Sequence, residues 1–198
     1  MSDDRWHTVK LEGHSVQFLN LDHPSVREPV IGDIDVGIDV YDDSRWKATK
    51  QFGRLLYDQP EWVAGKSVLV VGAGVGLETV VVGSLCERLY INDLSPVSLR
   101  LCLEQLDRIH IARDGVLEGR YEEVTLPNID LVVGCFVVYE REARSAMEAL
   151  LAKTDVPVLL VNEKLDAFQG LMGETDREVE RMGMEDGPTV GVLRSLRD

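Results

Sequence analysis

Apolar residues recur along this chain with two alternating rhythms. Short, nearly unbroken apolar runs fall at 67–71, 88–92, 115–118, 130–135 and 156–161. Runs of this length, without polar alternation, predict strands buried on both faces, as in a parallel sheet covered by helices. Helical spacing fills the intervals at 77–86, 96–108, 141–152 and 166–182. The clearest case is 141–152, where Ala143, Ala146, Met147, Leu150 and Leu151 repeat at i, i+3, i+4, i+7 and i+8. Regular alternation of strand and helix predicts a doubly wound, mostly parallel α/β fold of Rossmann-like type. A final apolar stretch, Thr189 to Leu196, predicts a closing strand, with an antiparallel direction allowed.

The first forty residues follow a different rule. Thr8–Leu11 and Ser15–Leu19 read as strands around a hairpin turn at Gly13-His14, and Ile34, Val36, Ile38 and Val40 alternate with polar or glycine positions. This segment, 1–43, predicts a small β annex before the main unit, 44–198. A helix follows from Asp43, with Ser44 as its cap and Trp46, Thr49, Phe52, Leu55 and Leu56 on one face, ending near Asp58-Gln59-Pro60.

The junction after the 67–71 strand carries the most chemistry. Gly72-Ala73-Gly74-Val75-Gly76 separates an apolar strand from a helical pattern. A strand that turns sharply into a helix, with a ligand close to its backbone, needs residues without side chains there. Seventeen residues beyond Gly76, Asp93 ends the next strand, placed for its carboxylate to accept hydrogen bonds from ribose hydroxyls beside the turn. The pattern predicts a site for a nucleotide-type cofactor. Dinucleotide turns favour G-x-G-x-x-G, whose last glycine would fall at Leu77 here. That departure weighs against a nicotinamide-dependent oxidoreductase, as does the lack of a Tyr-x-x-x-Lys pair after the fourth strand.

Composition narrows the partners. Hydrophobic residues make up 44% of 198, enough for one substantial core. The acidic N-terminus lacks the features of a signal peptide, and no apolar run reaches bilayer-spanning length, so a cytoplasmic protein without membrane association is expected. Thirty-five acidic against 21 basic residues leave a net charge of −14. Such a surface repels phosphates, so nucleic acid is not expected as a partner, whereas a basic protein or cationic small molecule is compatible. Solubility or a salt-adapted surface is the plainer explanation of the excess. Cys86, Cys102 and Cys135 sit in apolar contexts without C-x-x-C spacing, and the four histidines form no pair, so no metal is expected.

The G-x-G-x-G turn resembles motif I of class I S-adenosylmethionine-dependent methyltransferases. Around it, the chain resembles the seven-stranded protein-lysine methyltransferases of methyltransferase family 16, particularly the branch that modifies the β subunit of electron transfer flavoprotein. The resemblance spans roughly residues 45–152. It rests on Trp46, Leu55-Leu56 through Pro60 to Gly65-Lys66-Ser67, Gly72-Ala73-Gly74-Val75-Gly76, Asn92-Asp93-Leu94-Ser95-Pro96, and Asp130-Leu131-Val132-Val133 running to Tyr139. It implies a seven-stranded fold, S-adenosyl-L-methionine as cofactor, and a protein side chain or small molecule as methyl acceptor. By the same resemblance, Gly72, Ala73, Gly74, Gly76, Asp93 and Leu94 would hold the cofactor, with Trp46 covering it.

Two positions depart from that family. Its members carry an acid two residues before the first glycine, where Val70 stands. They also carry Asp-x-x-Tyr after the fourth strand, where this chain has Phe136-Val137-Val138-Tyr139. A lysine ammonium must lose a proton before its lone pair can attack a methyl group, and Phe136 can neither accept that proton nor orient the amine. Phe136 is expected to line the acceptor pocket, or else to belong to the core, while Tyr139 orients an acceptor or packs at the strand exit. Similar alternatives stand elsewhere. Trp46 covers the pocket or anchors its helix; Glu118 meets the adenine amino group or is a solvated acid; Cys135 lines the pocket or fills the core. Asn162-Glu163-Lys164 touches substrate or forms a plain loop. A methyltransferase-fold protein that only binds partners remains the alternative to an active enzyme.

Overall fold

The computed structural model describes residues 4–11, 13–33, 43–162, 165–183 and 189–194. A two-stranded hairpin, β1 (Trp6–Leu11) and β2 (His14–Leu19), comes first, followed by helices α1 (Pro24–Asp33) and α2 (Asp43–Asp58). Then strands and helices alternate: β3 (Ser67–Val71), α3 (Leu77–Leu85), β4 (Arg88–Asp93), α4 (Pro96–Arg108), β5 (Gly115–Glu118), β6 (Leu131–Cys135), α5 (Arg141–Lys153), β7 (Val158–Asn162) and α6 (Asp166–Glu174). The antiparallel pair β8 (Glu178–Gly183) and β9 (Thr189–Arg194) closes the sheet.

The main sheet has seven strands in the order β5-β4-β3-β6-β7-β9-β8, with β9 alone running against its neighbours. Alternate residues feed two separate cores. Val68, Val70, Ile91, Val133 and Val161 face one side, packed with Phe52 and Leu56 of α2, Val80 and Val81 of α3, and Leu101 and Leu106 of α4. Leu69, Val71, Val132, Val158 and Leu160 face the other, against Met147 and Leu150 of α5 and Phe168 and Leu171 of α6. This is why the strand sequences show no polar alternation: each residue meets a helix on one side or the other. The hairpin shares the first core through Leu11, Val16, Phe18 and Leu19. Gly53 lets α2 come close, since a Cβ there would meet Leu11 Cδ1 at 2.9 Å and Val81 Cγ2 at 3.4 Å.

Two readings change. The helix expected over 166–182 ends at Glu174, and 178–183 is strand β8. Thr175 adopts an extended conformation (φ −69°, ψ 144°), and the charged stretch that resembles a helix instead pairs with β9 from Glu178↔Arg194 to Gly183↔Thr189. Pairing with a neighbour overrides the helix-favouring composition. Within the segment expected to be a β annex, 24–33 forms helix α1, which begins at Pro24 and carries Pro29 inside it; Val26 and Val30, one turn apart, are both buried. The strand predicted over Ile34–Val40 lies outside the described residues. No helix among the described residues is long and apolar enough to cross a membrane.

Candidate functional site

Helices α3 and α4 lie on one face of the sheet and α5 on the other, so the winding reverses between the adjacent strands β3 and β6. In open α/β sheets the crevice at the carboxyl ends of such strands is where ligands bind. The glycine turn leaves β3 at that point, and Cys135-Phe136 leave β6 beside it.

The three glycines of the turn all have left-handed backbones, with φ of +60° at Gly72, +52° at Gly74 and +91° at Gly76. Their surroundings differ. A Cβ on Gly72 would stand 2.5 Å from Val137 Cγ1, so this glycine makes room for the chain leaving β6. At Gly76 a Cβ would meet Cys102 Sγ at 2.7 Å and its Cα at 3.1 Å, so this one allows α3 to approach α4. Only Gly74 faces open space, with nothing within 4 Å of a Cβ built there. The part of the turn that presents bare backbone to a ligand is therefore Gly74.

Asp93 lies against it. The Gly74 N–H donates to Asp93 Oδ2 at 2.7 Å, and the Ser95 N–H donates to Asp93 Oδ1 at 2.8 Å. Ser95 then caps α4, its hydroxyl accepting from the Ser98 N–H at 2.9 Å. Two more N–H groups of the turn are bonded: Ala73 donates across to the Asn92 carbonyl of β4 at 2.9 Å, and Gly76 donates within the turn to the Ala73 carbonyl at 2.8 Å. Three N–H groups that a phosphate-binding turn would offer are thus taken, and a carboxylate sits against one of them. Phosphate would meet charge repulsion instead of a cradle.

The other residues expected to hold a cofactor spread along the same edge. Ala73 is buried behind the turn. Leu94, directly after Asp93, is 62% exposed. Glu118 is the register partner of Asp93 on the next strand and is exposed to solvent. Beside it a groove of about 510 Å³ runs between α4 and the edge strand β5, lined by Pro96, Leu99, Leu103 and Val116 among others. Cys135 is half-buried at the end of β6, packed against the first core. Trp46 is carried on α2, and its side chain lies outside the described residues.

At the β6 exit, Phe136 is unusual. Three of the four phenylalanines, Phe18, Phe52 and Phe168, are among the largest fully buried side chains. Phe136 is half-buried, belongs to neither core, and has a left-handed backbone with φ +56°. Bulky residues rarely adopt that region, and non-glycine residues that do so concentrate at functional sites. Its N–H donates to the Val161 carbonyl at 2.8 Å. Tyr139, three residues on, is 40% exposed.

Two asparagines whose bonding role the sequence did not reveal hold these loops in place. Asn92, fully buried, donates through Nδ2 to the Leu117 and Gly119 carbonyls at 2.8 and 2.9 Å, tying the exit of β5 to β4. Asn162, also buried, donates to the Val138 carbonyl at 3.0 Å and so anchors the segment after Phe136. It thus clamps this loop; Glu163 and Lys164 lie outside the described residues. The available signal was a polar amide at the end of an apolar strand, where burial demands partners. Neither Cys86 nor Cys102 is poised for chemistry: burial pushes their thiols up to about 11 and about 12. Among the described residues no cluster could hold a metal ion.

Solved structures place this architecture. The chain is similar to magnesium protoporphyrin IX methyltransferase from Synechocystis PCC 6803 with bound SAM, at TM-score 0.57 and 14% identity, covering 80% of this chain and 87% of that one. The fold is that of the class I methyltransferases. A second match is the T. thermophilus 16S rRNA N2 G1207 methyltransferase in complex with AdoMet and guanosine, at TM-score 0.64 and 15% identity, covering 96% of this chain and 50% of that one. A third is the ribosomal protein L11 methylase of Lactobacillus delbrueckii subsp. bulgaricus, at TM-score 0.56 and 17% identity, covering 74% and 78%. At these identities the likeness concerns the fold alone. No protein-family model and no curated protein matches the chain.

Proposed function

We propose that this protein is an S-adenosylmethionine-dependent methyltransferase acting on a protein side chain or a small molecule. The observation that carries the reading is the contact between Asp93 and the open glycine, Gly74, at the reversal point of the sheet. It sets a carboxylate, not open N–H groups, beside the bare backbone of the turn, which suits the ribose of a cofactor that carries no phosphate. The bound cofactor supplies a methyl group on a positively charged sulfur, open to in-line attack by a lone pair on the acceptor.

The chain's own residues bind and align. Asp93 accepts from the ribose hydroxyls, Leu94 offers apolar cover to the adenine, and Glu118 lies one strand away for the adenine amino group. Gly74 gives the cofactor room, while Gly72 and Gly76 keep the turn in shape. Catalysis by proximity and exclusion of water then needs no acid or base from the cofactor half of the site.

On the acceptor side, Phe136 and Tyr139 border the β6 exit. Phe136 provides an apolar wall and a ring face where the lysine methyltransferases that this chain resembles carry an aspartate. An acceptor whose nucleophile is already neutral fits that wall better than a lysine ammonium, which argues for a changed specificity within the resemblance to family 16. The net charge of −14 argues against nucleic acid as acceptor, although the structural neighbours include proteins named as RNA methyltransferases. Val70 and Phe136, apolar where that family carries acids, also support a second reading, a methyltransferase-fold protein that binds partners without transferring a methyl group.

Parallel calorimetric titrations with S-adenosylmethionine, S-adenosylhomocysteine and NAD test the assignment. Binding of the two sulfur compounds and none of NAD is expected; heat with NAD and none with S-adenosylhomocysteine overturns it. Labelled methyl transfer to protein, small-molecule or RNA fractions then separates an enzyme from a binding module.

A further inference from the structure

One fully buried side chain joins the glycine turn to the N-terminal hairpin. Gln105, on α4, accepts the Leu19 N–H on Oε1 at 2.6 Å and donates from Nε2 to the Val75 carbonyl at 3.0 Å. Leu19 ends β2, and Val75 lies between the open Gly74 and the packed Gly76. The partners define the amide's orientation: its oxygen faces a donor and its nitrogen faces an acceptor. Of the other side chains of similar size, only a protonated glutamic acid would serve both. A glutamate would keep the bond to Leu19 and set a carboxylate oxygen against the Val75 carbonyl. A methionine would leave two buried backbone groups unpaired.

A turn with three left-handed glycines has many conformations open to it, so its shape depends on its anchors. Those recorded between its ends are backbone bonds at Ala73 and Gly76 and two side chains from outside the turn, Asp93 at Gly74 and Gln105 at Val75. Asp93 is already assigned to the ribose. Gln105 is given no contact with the cofactor and acts through the backbone of the turn that it holds.

We infer that Gln105 is the positioning residue that holds the cofactor turn in its binding shape, and that through it cofactor binding is linked to closure of the β1–β2 hairpin. Linkage is reciprocal: if a closed hairpin favours the binding shape of the turn, an occupied site must favour the closed hairpin by the same factor. The inference rests on the reading of the turn as an S-adenosylmethionine site.

Two measurements test it. Calorimetry with S-adenosylhomocysteine on wild type, Gln105→Glu and Gln105→Met, each well below its melting temperature, is expected to show roughly tenfold weaker binding in both variants, the scale of one lost buried hydrogen bond. Equal affinity in folded variants, with only the melting temperature lowered, reduces Gln105 to a core residue and overturns the inference. The second measurement needs no variant: hydrogen exchange at the Leu19 amide of the wild-type chain, with and without S-adenosylhomocysteine. Slower exchange at Leu19 on binding is expected. Unchanged exchange there while β7 amides slow overturns the link between hairpin and site. A wild-type chain that binds no S-adenosylhomocysteine overturns the proposed function and the inference with it. Binding without the Gln105 effects overturns the inference alone.

Discussion

Two strand exits meet at the reversal point of the sheet, and both need left-handed backbone. The exit of β3 obtains it from Gly72, Gly74 and Gly76, for which that region carries little steric penalty. The exit of β6 obtains it from Phe136, at a cost of about 1–2 kcal/mol. The first shape is written into residue type. The second is imposed by neighbours, through the bond from the Phe136 N–H to Val161 and the grip of Asn162 on Val138. The exit proposed to hold the cofactor is thus encoded locally, whereas the exit proposed to face the acceptor is held against local preference. Strain of that kind is where specificity can be altered without disturbing the rest of the fold.

The comparison breaks most severely at Gly76. Valine there needs φ near +91° and a Cβ 3.1 Å from the Cys102 backbone. Strain and overpacking together are expected to cost roughly 3–5 kcal/mol in a denaturant melt. Gly74→Val meets open space and pays mainly the backbone penalty of about 1–2 kcal/mol, while its side chain blocks the cofactor. Stability is therefore lost at one glycine and binding at the other. Equal losses of stability at both would show that the open side of Gly74 has been misassigned.

Asp93→Ala comes next. It removes the acceptor of the Gly74 and Ser95 N–H groups together with the proposed ribose contact. Affinity for S-adenosylhomocysteine should fall by about 2–3 kcal/mol, roughly 30- to 150-fold by calorimetry. Wild-type affinity in this variant would mean that the carboxylate serves only the turn.

Asn162→Leu tests the opposite exit. It strands the buried Val138 carbonyl that Asn162 Nδ2 now satisfies and frees the segment after Phe136. About 2 kcal/mol of stability should be lost. Affinity for S-adenosylhomocysteine should hold within a few-fold, because the glycine turn has its own anchors. A collapse of cofactor binding would show that the two exits are not independent.

The same contrast explains what could be read from sequence. Strands β3, β4, β6 and β7 were legible because burial on both faces leaves an unbroken apolar run, as in Val158-Leu159-Leu160-Val161. The glycine turn and Asp93 were legible because their chemistry restricts residue type. Strand β8 was not, since Arg177-Glu178-Val179-Glu180-Arg181 favours a helix until β9 supplies a partner. The separate duties of Gly72, Gly74 and Gly76 were equally hidden, because they depend on Val137 and Cys102, distant in sequence. Asn92, Gln105 and Asn162 each look like one polar residue among apolar ones until the loops they hold are seen.

The smallest expected effect on stability belongs to Phe136→Asp, which tests the comparison most directly. In a core position the change would bury an unpaired acid at a cost of several kcal/mol. Phe136 lies outside both cores and half in solvent, and aspartate tolerates the left-handed region better than phenylalanine. Lost apolar contact and relieved strain act in opposite directions, so the melting temperature should move by no more than the equivalent of about 1 kcal/mol. Affinity for S-adenosylhomocysteine should stay within a few-fold, since Asp93 and Gly74 are untouched. The acceptor preference is what should change: a carboxylate at the β6 exit can hold an ammonium and take its proton, which the ring cannot. Methyl transfer by the variant to lysine-containing peptides, measured beside wild type, reads that gain. A large drop in melting temperature with no change in activity per folded molecule would return Phe136 to the core and leave the acceptor side without its wall.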